Sequence, residues 1–170
     1  MQMPIRLLAL LLLPLLLLAC SRQFAVSVNE RVLFDPRGAA AISAFADPGL
    51  QSCINLRLQH EDYNALSDIS ILSCANLEIR SLEGISALTR LTFLDVGGNE
   101  LTHLDELRRL PRLVSVRASD NPLTNIEALL ELRSLTSAVL SGADNIPCSQ
   151  LDALAARLGE DLVRPSSCQP

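Results

Sequence analysis

Aliphatic side chains return every 22 residues along most of this 170-residue chain, and that stride constrains the fold more than any other feature. Leu91, Leu113 and Leu135 mark it, followed in each unit by Leu94, Val116 and Ala138 and then by Val96, Ala118 and Leu140. Asn99 matches Asn121, Leu101 matches Leu123, and Leu104, Leu107 and Leu110 match Ile126, Leu129 and Leu132, then Cys148, Leu151 and Leu154. The register also runs backwards through Ile69, Leu72, Cys74, Ile79, Leu82, Ile85 and Leu88, with Leu77 in the place of the asparagine. A single amphipathic helix has a period of about 3.6 and leaves the two-residue alternation of Leu94 with Val96, and of Leu72 with Cys74, unexplained. Each unit is therefore predicted to open with a short strand, positions 94 and 96 facing inward and 93, 95 and 97 facing the other side. The chain then turns at Gly97, Gly98 and Asn99, where an asparagine amide can both donate to and accept from exposed backbone groups. The three-residue stripe Leu104, Leu107 and Leu110 predicts a 3₁₀ or helical segment on the return path.

The string Leu91-xx-Leu94-x-Val96-xx-Asn99-x-Leu101 resembles the leucine-rich repeat, and its 22-residue length is similar to the internalin-like class of bacterial repeats. The resemblance implies an α/β fold: a short solenoid with a parallel sheet on one face, a 3₁₀ or helical convex side, and helical caps at both ends. Four units are expected over 69–156, at 69–90, 91–112, 113–134 and 135–156, the first and last degenerate. One unit cannot bury its leucine face alone, so stacking and caps are required. A cap is predicted over 47–68, with Asp47 as N-cap and Pro48 as the first helical residue, followed by Leu50, Cys53, Ile54 and Leu58 on one face. Phe45 to Leu50 also resembles the start of the internalin-type cap helix. A second cap is predicted over 149–170, where Ser149 and Asp152 suggest a capping box and Leu151, Leu154, Ala155, Leu158 and Leu162 form one stripe limited by Gly159 and Pro165.

The first 19 residues read as an address. A basic start at Arg6 precedes an apolar run from Leu7 to Leu18, too short to cross a bilayer comfortably, and then Leu17-Leu18-Ala19-Cys20. That string resembles the lipobox of bacterial lipoproteins, which implies cleavage before Cys20, acylation of its thiol and amine, and a stable anchor without a transmembrane helix. Ser21 after the cysteine implies, by the family's sorting rule, residence at the outer membrane, facing the periplasm or the cell surface. Residues 20–46 are expected to be a lipidated tether carrying a small hairpin, with Val26, Val28, Val32 and Phe34 alternating about Asn29 and Glu30; a wholly flexible tether is the competing view. Cys53, Cys74, Cys148 and Cys168 remain for an oxidising compartment, and three pairings are open to them. Proximity in sequence and position at the two ends of the array favour Cys53 with Cys74 and Cys148 with Cys168.

Several function classes fall away. The net charge of −5, no Trp, one Tyr and four Phe leave neither an electrostatic footprint nor a stacking platform for nucleic acid. All 14 basic residues are Arg, which fits compositional bias better than a functional signal. No phosphate loop, dinucleotide fingerprint, zinc-protease or nucleophile-elbow motif occurs, and no cofactor or metal is expected. His60-Glu61-Asp62 reads as a solvated polar turn, and His103 as exposed on the way out of a strand. No enzyme is expected; the remaining surface is the outward sheet face, where Phe93, Asp95, Ser115, Arg117, Ser137 and Val139 are the candidate contacts for an unknown protein or envelope component. A blander view pairs Asp95 with Arg117 across strands and covers Phe93 with the hairpin. Arg108, Arg109 and Arg112 are expected to be solvated cover on the convex side, within reach of anionic headgroups.

Overall fold

A computed structural model describes residues 26–28, 31–34, 45–60 and 65–168. The signal segment, Cys20, the Asn29-Glu30 turn, residues 39–44 and the Glu61-Asp62 pair lie outside the described residues, as does the side chain of His60. The chain divides into two compact units at Ala41/Ile42. In the first, β1 (Val26–Val28) and β2 (Arg31–Phe34) pair antiparallel, with Val28 opposite Arg31 and an irregularity after Val26.

The second unit begins with α1 (Pro48–His60). Proline is at home in the first turn of a helix, where its missing N–H costs nothing, and Asp47 precedes it as the cap. The Asp47 Oδ1 accepts the Leu50 N–H at 3.0 Å. After a 3₁₀ turn at Leu66–Asp68 come β3 (Ile71–Ser73), β4 (Phe93–Asp95), β5 (Ser115–Arg117) and β6 (Ser137–Val139), all parallel and paired in strict 22-residue register. Each return path is a 3₁₀ or short helical segment: Ile85–Ala87, Asp105–Arg109 and α2 (Glu127–Glu131). The third unit makes a full α-turn where the second makes a 3₁₀ turn.

The predicted inward positions are the core. Leu91, Leu94, Val96, Leu101, Leu104, Leu107 and Leu110 are each at most 1% exposed. At about 2 kcal/mol for each fully buried aliphatic side chain, the stripe of one unit is comparable in gross burial energy to the about 5–15 kcal/mol by which a whole domain is stable.

The turn after each strand carries a left-handed residue at the same step of the repeat: Asn76, Gly98, Asp120 and Gly142, with φ of 58°, 66°, 53° and 74°. Large and small alternate there for a steric reason. A Cβ on Gly98 would run into the Asn76 amide, and one on Gly142 into the Asp120 carboxylate, so a side chain from one unit lies over a glycine of the next. Behind the turn, Asn99 is only 5% exposed and serves the unit before its own. Its Oδ1 accepts from Leu77 N at 2.9 Å and Ile79 N at 3.1 Å, while Nδ2 donates to Cys74 O and Val96 O, both at 2.8 Å. Asn121 repeats the arrangement, accepting from Leu101 N at 3.0 Å and donating to Val96 O at 2.9 Å. Because each asparagine reaches backwards, the first unit can carry Leu77 at this step and still have its backbone satisfied.

The C-terminal end differs from the sequence expectation in three respects. First, α3 (Cys148–Leu158) has no side-chain cap, so the Ser149–Asp152 capping box does not form; Asp152 Oδ1 instead accepts from Arg164 Nη2 at 2.6 Å. Second, Leu162 is not helical. Gly159, at φ 57°, ends α3, a 3₁₀ turn follows at Gly159–Asp161, and Leu162–Val163 forms β7. Third, β7 adds a fifth parallel strand, pairing Leu162 with Ala138 and Val163 with Val139, where four strands were expected. Leu162 lies four residues beyond Leu158 and so mimics the next step of the helical stripe, which is why periodicity alone misplaces it.

Both favoured disulfides are formed. Cys53–Cys74 ties α1 to the end of β3, and Cys148–Cys168 ties the start of α3 to a terminal 3₁₀ turn at Ser166–Cys168. The separations of 21 and 20 residues make each worth about 3 kcal/mol on the chain-entropy account.

Candidate functional site

Parallel pairing without a register shift lines outward residues into rows across the sheet. One row runs Ile71, Phe93, Ser115, Ser137; the next runs Ser73, Asp95, Arg117, Val139, Val163. All six expected contact residues therefore stand on one face, with neighbouring strands about 4.8 Å apart. Phe93, Asp95, Ser115, Ser137 and Val139 are half-buried and Arg117 is exposed. The face is mixed. Ile71 at 50% and Val163 at 46% exposure leave apolar area at its two ends.

Asp95 and Arg117 are register partners but not an ion pair. Asp95 Oδ1 accepts the Gly97 N–H at 3.0 Å, closing a tight turn within its own unit, and among the described residues the Arg117 guanidinium has no carboxylate or hydrogen-bond partner. The carboxylate thus bends toward the turn, and the guanidinium stands exposed to solvent. Around it the floor is low: Ser115 and Ser119 on its own strand and turn, Gly97 on one side, Ser137 and Ser141 on the other. The Ser141 hydroxyl donates to Ser119 Oγ at 3.0 Å.

Val163 was missed by sequence reasoning, because it reaches the face only through β7. The signal available was Gly159, whose freedom to take positive φ marks the end of α3 three residues before the strand.

Two other surfaces compare poorly with this face. A hollow of about 440 Å³ on the convex side is lined by Glu83, Asp105, Glu106, Arg108 and Arg109 among others. Its chief cation is already engaged: Arg108 reaches Asp105 at 2.6 Å and Glu131 at 2.9 Å, and the hydrogen bond to Glu131 is the main reason its pKa is raised. Beside it the His103 side chain is 44% exposed, with Nδ1 3.4 Å from Asp105 Oδ2 and 3.8 Å from Glu106 Oε2, and a parallel bridge to Asn125 joins its backbone to the next unit. The second surface is an open groove of about 360 Å³ between α1 and β3, lined by Cys53, Leu56, Arg57, Ser73 and Leu77. Among the described residues no three His, Cys, Asp or Glu side chains gather as metal ligands, and no helix is long and apolar enough to cross a membrane.

Similar architecture recurs in solved structures of Listeria monocytogenes proteins. Internalin C2 matches with a TM-score of 0.61 and 25% identity over 72% of this chain and 56% of that one. An internalin (inlF) matches at 0.63 and 27%, over 75% and 38% respectively. The functional domain of InlJ, which includes a cysteine ladder, matches at 0.50 and 26%, over 59% and 24%. This chain thus spans little more than half of the first and smaller parts of the others. No protein-family profile and no curated protein matches it. Together with the five-stranded parallel sheet and the 3₁₀ returns, these neighbours establish an internalin-like leucine-rich repeat fold.

Proposed function

We propose that this chain is a lipid-anchored recognition module of the bacterial cell envelope, non-enzymatic and free of cofactors, that binds a protein through the outward face of its parallel sheet. The observation that carries the reading is the composition of that face. An arginine whose guanidinium is unpaired stands between a half-buried aromatic residue and a pair of valines, on a scaffold of strands in strict register. Interfaces draw most of their affinity from a few aromatic and arginine anchors, and the scaffold that presents them contributes by being ordered beforehand. The structural neighbours are internalins, which supports an interaction role for the repeats.

The anchor half of the proposal rests on the sequence. Residues 1–19 act as a lipoprotein signal, Cys20 carries the acyl chains, and residues 20–46 lead to the repeat domain, which the Ser21 rule directs to the outer membrane. Metabolic labelling with a fatty acid tests this: label on the native chain and none on Cys20→Ser is the expected result.

Partner binding is tested by placing a photo-crosslinking amino acid at position 139 or 163, and as a control at Ser86 on the convex side, in intact cells. A discrete adduct from the sheet positions alone, lost when Phe93, Asp95 and Arg117 are changed to Ala without a change in melting, supports the reading. Adducts of equal yield from both sides, or none, would instead make the repeats a durable spacer. The two disulfides and the asparagine ladder are the features that such a spacer would use.

A further inference from the structure

We infer that the sheet face recognises a carboxylate side chain of an acidic, partly apolar peptide segment, and that Arg117 is the residue that selects it. The inference rests on the reading of this face as the binding surface.

Arg117 is the one basic residue among the outward positions of β3 to β7, and it is unsatisfied. Most arginines of the repeat domain are not. Arg80 contacts Glu100 at 2.6 Å, Arg90 lies 3.9 Å from Asp68, Arg108 engages Asp105 and Glu131, Arg164 contacts Asp152 at 2.6 Å, Arg157 donates to the carbonyls of Leu129 and Leu130 at 2.6 and 2.7 Å, and Arg57 also has a partner. Among the described residues Arg109, Arg112 and Arg133 also make no carboxylate contact, but they stand on turns and a 3₁₀ segment away from the sheet face. At Arg117 the natural partner, Asp95 on the adjoining strand, is withdrawn onto the Gly97 amide.

The neighbourhood decides what kind of anion fits. Guanidinium is planar, weakly hydrated for a cation and forks onto a carboxylate with two parallel hydrogen bonds, so covering it with a carboxylate costs less than covering an ammonium would. The serine and glycine floor leaves the fork open to a group arriving from above and supplies further hydroxyl donors at Ser115 and Ser137. Free small anions would leave Phe93 and Val139 uncovered. Phe93 lies one strand to one side and Val139 is the register partner of Arg117 on the other side, so apolar atoms must accompany the carboxylate at about 5–10 Å. A peptide provides this spacing when an apolar residue follows or precedes the acid by two positions in an extended segment or by three or four in a helix.

Selection of a displayed library of random linear peptides on the full-length, anchored protein in detergent micelles tests the inference. The expected winners carry Asp or Glu with an aliphatic or aromatic residue within four positions. Arg117→Gln should weaken them by about tenfold or more, and Arg117→Glu should select Arg- or Lys-bearing peptides instead. Phe93→Ala should weaken binding without changing the charge preference, all variants keeping the native melting temperature. Uncharged apolar winners that need Phe93 and Val139 but bind Arg117→Gln normally would overturn the carboxylate while leaving the face as the binding surface. Peptides indifferent to both Phe93 and Arg117, or no enrichment, would overturn the face and the inference together. Displacement of the winners by polygalacturonate at equal carboxylate concentration would assign Arg117 to polycarboxylates at large and overturn the peptide class.

Discussion

The two ends of the repeat array solve one problem in different ways. A stack of parallel strands and return turns leaves unpaired backbone and bare leucines at both termini, and inside the array each asparagine amide answers this for the unit before it. At the N-terminal end there is no preceding repeat. There Asp47 reaches across from the cap, its Oδ2 accepting from Arg80 N at 2.8 Å and Ser81 N at 3.3 Å while Oδ1 caps α1. One carboxylate thus joins the cap helix to the return path of the first unit. At the C-terminal end the direction of the bonds is mixed: Gln150 Oε1 accepts from Ile126 N at 2.8 Å, and Arg157 donates to the last carbonyls of α2. There the sheet itself also continues, Leu140 N donating to Val163 O at 2.9 Å. The N-terminal cap lies over the core from one helix; the C-terminal cap is a helix, a strand and a turn. The difference teaches that closure of a solenoid depends on satisfied backbone groups as much as on covered leucines.

If interior units depend on their asparagines, Asn99→Ala should be the most damaging single change. It orphans the Leu77 and Ile79 N–H groups and the Cys74 C=O, while Val96 O keeps the Asn121 amide, at a cost of about 3–5 kcal/mol, and Asn121→Ala should cost somewhat less; denaturant midpoints measure both. A loss below about 1 kcal/mol for Asn99 would show that water or a shifted backbone replaces the ladder.

The disulfides come next and separate the ends. Each pair changed to Ser should lose about 3 kcal/mol globally, since the loops are nearly equal in length. Local opening should differ, however. Amide hydrogen exchange in α1 should rise sharply in Cys53→Ser with Cys74→Ser, because the five-stranded sheet ends at β3 and gives that helix no strand of its own, whereas α3 should stay protected in Cys148→Ser with Cys168→Ser through Leu151, Leu154 and Leu158. Equal exchange at both ends would erase the contrast.

Asp47→Ala should cost about 2 kcal/mol, from one helix cap and two further amide acceptors, and Asp47→Asn less. Smallest is Gln150→Ala, at about 1 kcal/mol for one partly buried hydrogen bond, readable as a small shift in melting temperature. An effect of Gln150→Ala larger than that of Asp47→Ala would reverse the assignment of which end relies on a single polar side chain.

Much of this arrangement was legible beforehand. The interval of 22 fixed the strands, their inward residues and the outward rows that hold Phe93, Asp95, Ser115, Arg117, Ser137 and Val139, because register in a stack of equal units is a property of the spacing alone. Asp47 and Pro48 announced α1, and the cysteine positions favoured the pairing that forms. What failed lay where the period fails. Leu162 pairs with Ala138 at a separation of 24, not 22, so neither the repeat nor the helical stripe could place it. Ser149 and Asp152 had the spacing of a capping box, yet Arg164, twelve residues on, offered Asp152 a charged partner that a local motif cannot foresee.

The sequence by itself determined the coil of stacked units, the core and the identity of the outward rows, since all of these follow from a local pattern repeated at a constant stride. Only the tertiary structure decided that each asparagine serves the unit behind it, that a fifth strand carries Val163 onto the face, and that Asp95 turns to Gly97 and leaves Arg117 without a partner. The physical reason is common to all three. A hydrogen bond goes to the nearest well-oriented group, and which group that is depends on how neighbouring turns come to rest against each other, not on the interval between them.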